Sequence, residues 1–106
     1  MSHEYTHFIN LAKEVEPPED GILTRALFND DYIKVIVFGF AGGQELSEHT
    51  ASMPAILQII SGAATVTLGD DSIETQPGTW IHMPANLKHS VVTSAATVML
   101  LVLLKK

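Results

Sequence analysis

The strongest constraint on this chain is its punctuation. Turn-forming clusters recur along its whole length: Pro17-Pro18 with Asp20-Gly21, Asn29-Asp30-Asp31, Gly42-Gly43, Ser61-Gly62, Gly69-Asp70-Asp71, Pro77-Gly78 and Pro84-Ala85-Asn86. Each combines residues that pre-set a turn, accept a left-handed backbone or lack the N–H that continues a ladder. An isolated helix needs about 12–15 residues to be more than marginal. The apolar stretches between the breaks are shorter than that and show no sustained helical periodicity. They read instead as strands over 22–28, 32–40, 55–60, 63–68, 72–76, 79–83, 87–93 and 97–104, with a polar loop from Gly43 to His49. Short strands joined by closely spaced turns predict an all-β, antiparallel sandwich or barrel.

A length of 106 residues fits one domain over 1–106, with the polar, acidic residues 1–20 as an N-terminal arm anchored by Phe8, Ile9 and Leu11. His3 and His7 fall in that arm and are expected to be solvated. The net charge of −6 argues against nucleic acid, whose binders supply cations to displace counterions from phosphates. It also disfavours an anionic membrane surface. The longest apolar run, Val98 to Leu104, is far short of the about 20 residues that span a bilayer. No cysteine is present, which removes disulfides, thiolate metal sites and cysteine nucleophiles together. Met1-Ser2-His3-Glu4-Tyr5 begins without a basic region and apolar run, so a cytoplasmic protein is expected.

Strand alternation also bears on assembly. In the last strand Val98, Leu100, Val102 and Leu104 form one face and Met99, Leu101 and Leu103 the other, both apolar. Over 32–40, Ile33, Val35 and Val37 lie opposite Ile36, Phe38 and Phe40. A sheet apolar on both sides needs a second cover. A homodimer would supply it; the alternative is that the chain's own N-terminal segment folds over the second face.

The chemistry-bearing residues lie in two short stretches. Gly43-x5-His49 precedes Ser61-Gly62, and Pro77-Gly78-x5-Pro84-Ala85-Asn86-x2-His89 follows, with Leu68-Gly69-Asp70-Asp71 as a hairpin between them. This arrangement resembles the two motifs of the cupin superfamily, from about residue 35 to the C-terminus. The resemblance implies an antiparallel double-stranded β-helix, the cupin jelly-roll barrel. It also implies that His49 and His89 are two of four metal ligands. Ala51 stands where the family has a second histidine and Ala55 where it has an acid; Asn86 replaces a glycine of the second motif and Thr93 its asparagine.

A catalytic first-row metal usually keeps three or more protein ligands and an open position. His82, two residues before Pro84, and Gln58, on the strand of the missing acid, are the candidate replacements. His82 shares strand parity with Trp80, and Gln58 has the opposite parity to Ala55; which of these faces the cavity depends on the fold. The metal set is thus His49, His82 and His89, and the ion a divalent transition metal such as zinc, nickel, iron or copper. Met53, Leu57, Gln58 and Met83 are the expected pocket lining for a small-molecule ligand, with Phe38, Phe40 and Trp80 as further candidates. Each histidine also has a plainer reading: His49 as a solvated loop residue, His89 as a strand-end residue, His82 as a buried neutral ring. No phosphate-cradling loop and no nucleophile elbow is present. Three functions fit this sequence: a metal-binding cupin acting on a small oxygen-bearing metabolite in dioxygenase- or isomerase-like fashion, a metal-free small-molecule barrel, or a non-catalytic interaction protein.

Overall fold

The turn clusters do break the chain into strands. The computed structural model describes residues 4–106 and contains β1 (Ile22–Asn29), β2 (Ile33–Phe40), β3 (Glu45–His49), β4 (Ala55–Ser61), β5 (Ala64–Leu68), β6 (Asp71–Glu74), β7 (Trp80–Met83), β8 (His89–Thr93) and β9 (Thr97–Leu104). His3 lies outside the described residues. Two antiparallel sheets result, one in the order β1-β2-β9-β4-β7 and one in the order β3-β8-β5-β6. This is the all-β jelly roll expected from the turn spacing and the motifs. One expectation fails: residues 45–49 are a strand rather than a loop, because they pair with β8 although their own side chains are polar.

The core lies between the sheets. Phe40, Leu57, Ile59, Val66, Val91 and Met99 are its most fully buried members, with Ala55, Ala64, Ile81 and Met83 completing it. Each large apolar side chain removed from water stabilises the fold by about 1.5–3 kcal/mol. Alternation decides membership: Ala64 and Val66 are buried with Leu68 packed against them, while Thr65 and Thr67 turn outward to bond Glu74 and Ser72. In β9 the inward set is Met99, Leu101 and Leu103.

The outer face of the five-stranded sheet is the other apolar surface. Register places Ile33, Val35 and Val37 of β2 beside Leu104, Val102 and Leu100 of β9, and these last two beside Ile56 and Gln58 of β4. The N-terminal arm covers one end of it. A Cβ on Gly39 would stand 3.1 Å from Val15 Cγ2 and 3.2 Å from Pro17 Cα, so glycine permits the arm to lie flat on β2. Arg25 ties the arm to β1 through Glu14, at 3.3 Å. Phe8 and Leu11 are half-buried as arm anchors, but Ile9 is 91% exposed and anchors nothing. The rest of the face, including Leu100, Val102 and Leu104, stays half-exposed.

Candidate functional site

A one-residue irregularity builds the site. Leu46 pairs with Val91 and His49 with His89, three steps along β3 for two along β8. Strict alternation from the core-packed Leu46 would set Glu48 opposite His89. The extra residue at Ser47-Glu48 puts His49 there instead, which is how a bulge re-aims a side chain. The two imidazoles then sit with ring centroids 4.1 Å apart, tilted by 59°. His89 is 8% exposed, whereas His49 is exposed at the mouth.

Both rings are held in the same way. Nδ1 of His49 lies 2.7 Å from the carbonyl oxygen of Ser47, and Nδ1 of His89 lies 2.9 Å from that of Leu87. A carbonyl oxygen can only accept, so each Nδ1 carries the hydrogen and donates it. In the neutral form of such a ring the lone pair sits on Nε2, the tautomer a metal-bound histidine adopts when a backbone carbonyl orients it. No buried polar side-chain atom among the described residues lacks a partner, so the Nε2 of His89, which bonds no protein group, is reached by solvent.

That cavity has a volume of about 50 Å³ and is lined by His49, Ala51, Met53, Ala55, Met83 and His89, closed by Pro84, Leu87, Leu101 and Leu103. Pockets that enclose a drug-sized organic ligand run to about 300–1,000 Å³, whereas a single water needs about 10–15 Å³ of the same kind of space. The space between the histidines therefore suits an ion and a few waters. Backbone ties hold its walls: Asn86 N donates to Ala51 O at 2.8 Å. Asn86 adopts φ 68° at the position of the motif's glycine, a left-handed conformation that asparagine takes more readily than most residues.

Of the seven residues expected at the site, four converge: His49, His89, Met53 and Met83 all line this cavity. The other three do not. His82 pairs with Ile56 and Gln58 with Trp80, both on the outer face of the five-stranded sheet, because β7 turns Ile81 and Met83 inward. His82 is exposed there and cannot join the other two imidazoles. Trp80 is on the same outer surface and 58% exposed. Leu57 faces inward but is sealed in the core, 1% exposed and outside the cavity wall. Phe38 and Phe40 stack on one another at 5.9 Å and line no part of the cavity. The sequence reading missed the Ser47-Glu48 bulge, for which a polar Ser-Glu-His run gives no signal. It also missed Leu101 and Leu103 as wall residues, although their shared parity was visible.

The donors fit a transition ion in part. Two convergent imidazole nitrogens suit zinc, nickel, iron or copper. Among the described residues, no group of three or more His, Cys, Asp and Glu side chains is placed to hold an ion. Ala51 and Ala55, at the remaining motif positions, offer only methyl groups to the cavity. A hard, carboxylate-seeking ion does not fit this set.

No family model matches the chain, and no curated protein matches it. Solved structures do. A conserved protein of unknown function from Streptococcus pyogenes is 31% identical, with a TM-score of 0.85 over 98% of this chain and 91% of that one. A cupin superfamily protein from Desulfitobacterium hafniense is 26% identical, with a TM-score of 0.87 over 97% and 94%. A cupin 2 conserved barrel domain protein from Leptotrichia buccalis is 26% identical, with a TM-score of 0.85 over 92% of this chain and 47% of that one. With the two-sheet topology and the histidines paired across β3 and β8, these likenesses identify the chain as a member of the cupin superfamily.

Proposed function

We propose that this chain is a metal-binding cupin whose ion is held by the Nε2 atoms of His49 and His89. The observation that carries this reading is the matched pair of Nδ1 bonds to Ser47 O and Leu87 O, which leaves two free lone pairs at one cavity of about 50 Å³. A solvated loop histidine or a strand-end histidine has no need of either feature. A bound transition ion would supply Lewis acidity there. His89 would anchor it from the buried side and His49 from the mouth. Leu101, Leu103 and Leu87 would exclude bulk water behind it. A small oxygen-bearing metabolite, as the dioxygenases and isomerases of the superfamily take, would enter past His49. The cavity volume weighs against the alternative of a metal-free carrier binding its ligand deep in the barrel.

The test is metal analysis of protein purified without a histidine tag. Retained metal that is lost in a His49→Ala, His89→Ala double variant, with folding intact, supports the reading. A double variant that keeps its metal refutes it.

This reading includes a second copy of the chain as partner, seated on the outer face left half-exposed by the arm. Leu100, Val102 and Leu104, with Ile33 and Val35 alongside, supply the apolar surface for it.

A further inference from the structure

The cavity between the sheets holds a donor set unlike that of a site for hard ions. Among the described residues, its lining includes four whose side chains can bind a metal: His49, His89, Met53 and Met83. The chain has four methionines in all, and two of them meet here. Met83 is 2% exposed and faces inward from β7, with its backbone paired to Ala55. Methionine is a common filler of irregular cores. Here, however, both methionines line the same small cavity as the two histidines. We infer that Met53 and Met83 complete the ligand set of His49 and His89 and make this a soft site selective for monovalent copper.

Two physical arguments converge on that ion. Thioether sulfur is a neutral, polarizable donor that favours Cu(I), while zinc and divalent iron prefer thiolate, imidazole or oxygen. The second argument is charge. None of the four donors is an anion, and among the described residues no carboxylate lines the cavity. The cost of desolvating an ion grows with the square of its charge, so an apolar wall without an anion penalises a divalent ion far more than a monovalent one. Ala55, where the family motif has an acid, removes the anion; Met83 across the strand pair adds sulfur.

This inference rests on the reading that the histidine pair binds an ion, and the experiment separates the two. Tag-free protein is titrated anaerobically with Cu(I) against a chromophoric Cu(I) chelator, and in parallel with Zn(II) against a zinc indicator. The same is done for Met53→Leu, Met83→Leu, the double methionine variant and the His49→Ala, His89→Ala variant. Leucine conserves volume, so the fold should be kept, and thermal unfolding checks that it is. Losing even an outer hydrogen-bond partner of a ligand costs about 10–100-fold in metal affinity. Cu(I) affinity is therefore expected to fall at least tenfold in the double methionine variant, with Zn(II) affinity changed less than about threefold. X-ray absorption of the copper-loaded protein is expected to show sulfur as well as nitrogen neighbours, and nitrogen alone after the methionines are replaced. Equal Cu(I) affinity with and without the methionines, or no sulfur at copper, overturns the soft-site inference. If metal is still lost with the histidines in that case, the metal-binding reading stands. Failure of the parent protein to bind either ion overturns both.

Discussion

Restoring the missing acid is the sharpest probe of the cavity. Ala55 is 3% exposed, paired with Met83 on one side and Leu103 on the other, and its methyl group lines the cavity with the histidines. Ala55→Glu would place a carboxylate among apolar groups. An uncompensated buried charge costs about 3–5 kcal/mol. No lysine or arginine lines the cavity among the described residues to offset this, so a loss of about 3 kcal/mol follows. For a domain of this size that lowers Tm by about 12–24 °C. A bound divalent ion reverses the sign: it neutralises the carboxylate and gains an anionic ligand. Zinc at about 1,000 times its Kd returns about 4.1 kcal/mol, more than the loss. The assay is thermal unfolding by circular dichroism, first with a chelator and then with zinc. Ala55→Gln, which cannot ionise, should lose less stability and respond less to zinc. An Ala55→Glu protein that melts in chelator within about 2 °C of the parent and gains nothing from zinc would refute the placement of residue 55 beside the histidines.

Three further outcomes are expected. Gly62 has φ 91°, and a Cβ there would stand 2.5 Å from Thr97 Oγ1 and 2.6 Å from Thr97 Cα, so Gly62→Ala should cost more than about 1 kcal/mol in urea unfolding; an unchanged midpoint contradicts this. The carboxylate of Asp30 accepts from the N–H groups of Ile33 and Tyr32, which hold its pKa below the ordinary 3.8, with a smaller contribution from the charge of Lys105. A depressed folded pKa contributes stability above 3.8 that is lost as pH falls through the folded value, so Asp30→Asn should flatten the acid limb of the stability curve; an unaltered acid limb would count against the turn. Val102→Lys, on the outer face, should convert a dimer into a monomer in sedimentation at low concentration, and a parent chain that is already monomeric there would remove the self-association proposal.

Much of the fold is legible in the residues, and for local reasons. Thr97–Leu104 is bounded in the structure as the sequence suggests, because its eight residues are β-branched or apolar throughout. Gly69-Asp70-Asp71 turns β5 into β6 as its residue types require. Alternation gave Ala64 and Val66 their buried face. The stretch 45–49 failed, since its polar side chains carry no strand signal and its strand identity comes from pairing with β8. The pairing of His49 with His89 was anticipated only through the motif resemblance. Nothing in the composition of Ser47-Glu48 announces the bulge that brings the rings together.

The parity of His82 with Trp80, and of Gln58 against Ala55, was fixed by the period of a strand and needed no structure. Which parity points inward was not fixed, because both sides of the five-stranded sheet carry apolar residues and alternation alone cannot rank them. That choice is made by long-range pairing: β4 lies between β7 and β9, and the opposing sheet covers the side that carries Ala55, Leu57, Met83, Leu101 and Leu103. Sequence determined where the strands and turns fall, β3 excepted, and that a second apolar surface exists. Tertiary structure decided which histidines meet, because a side chain's neighbours depend on register between segments far apart in the chain.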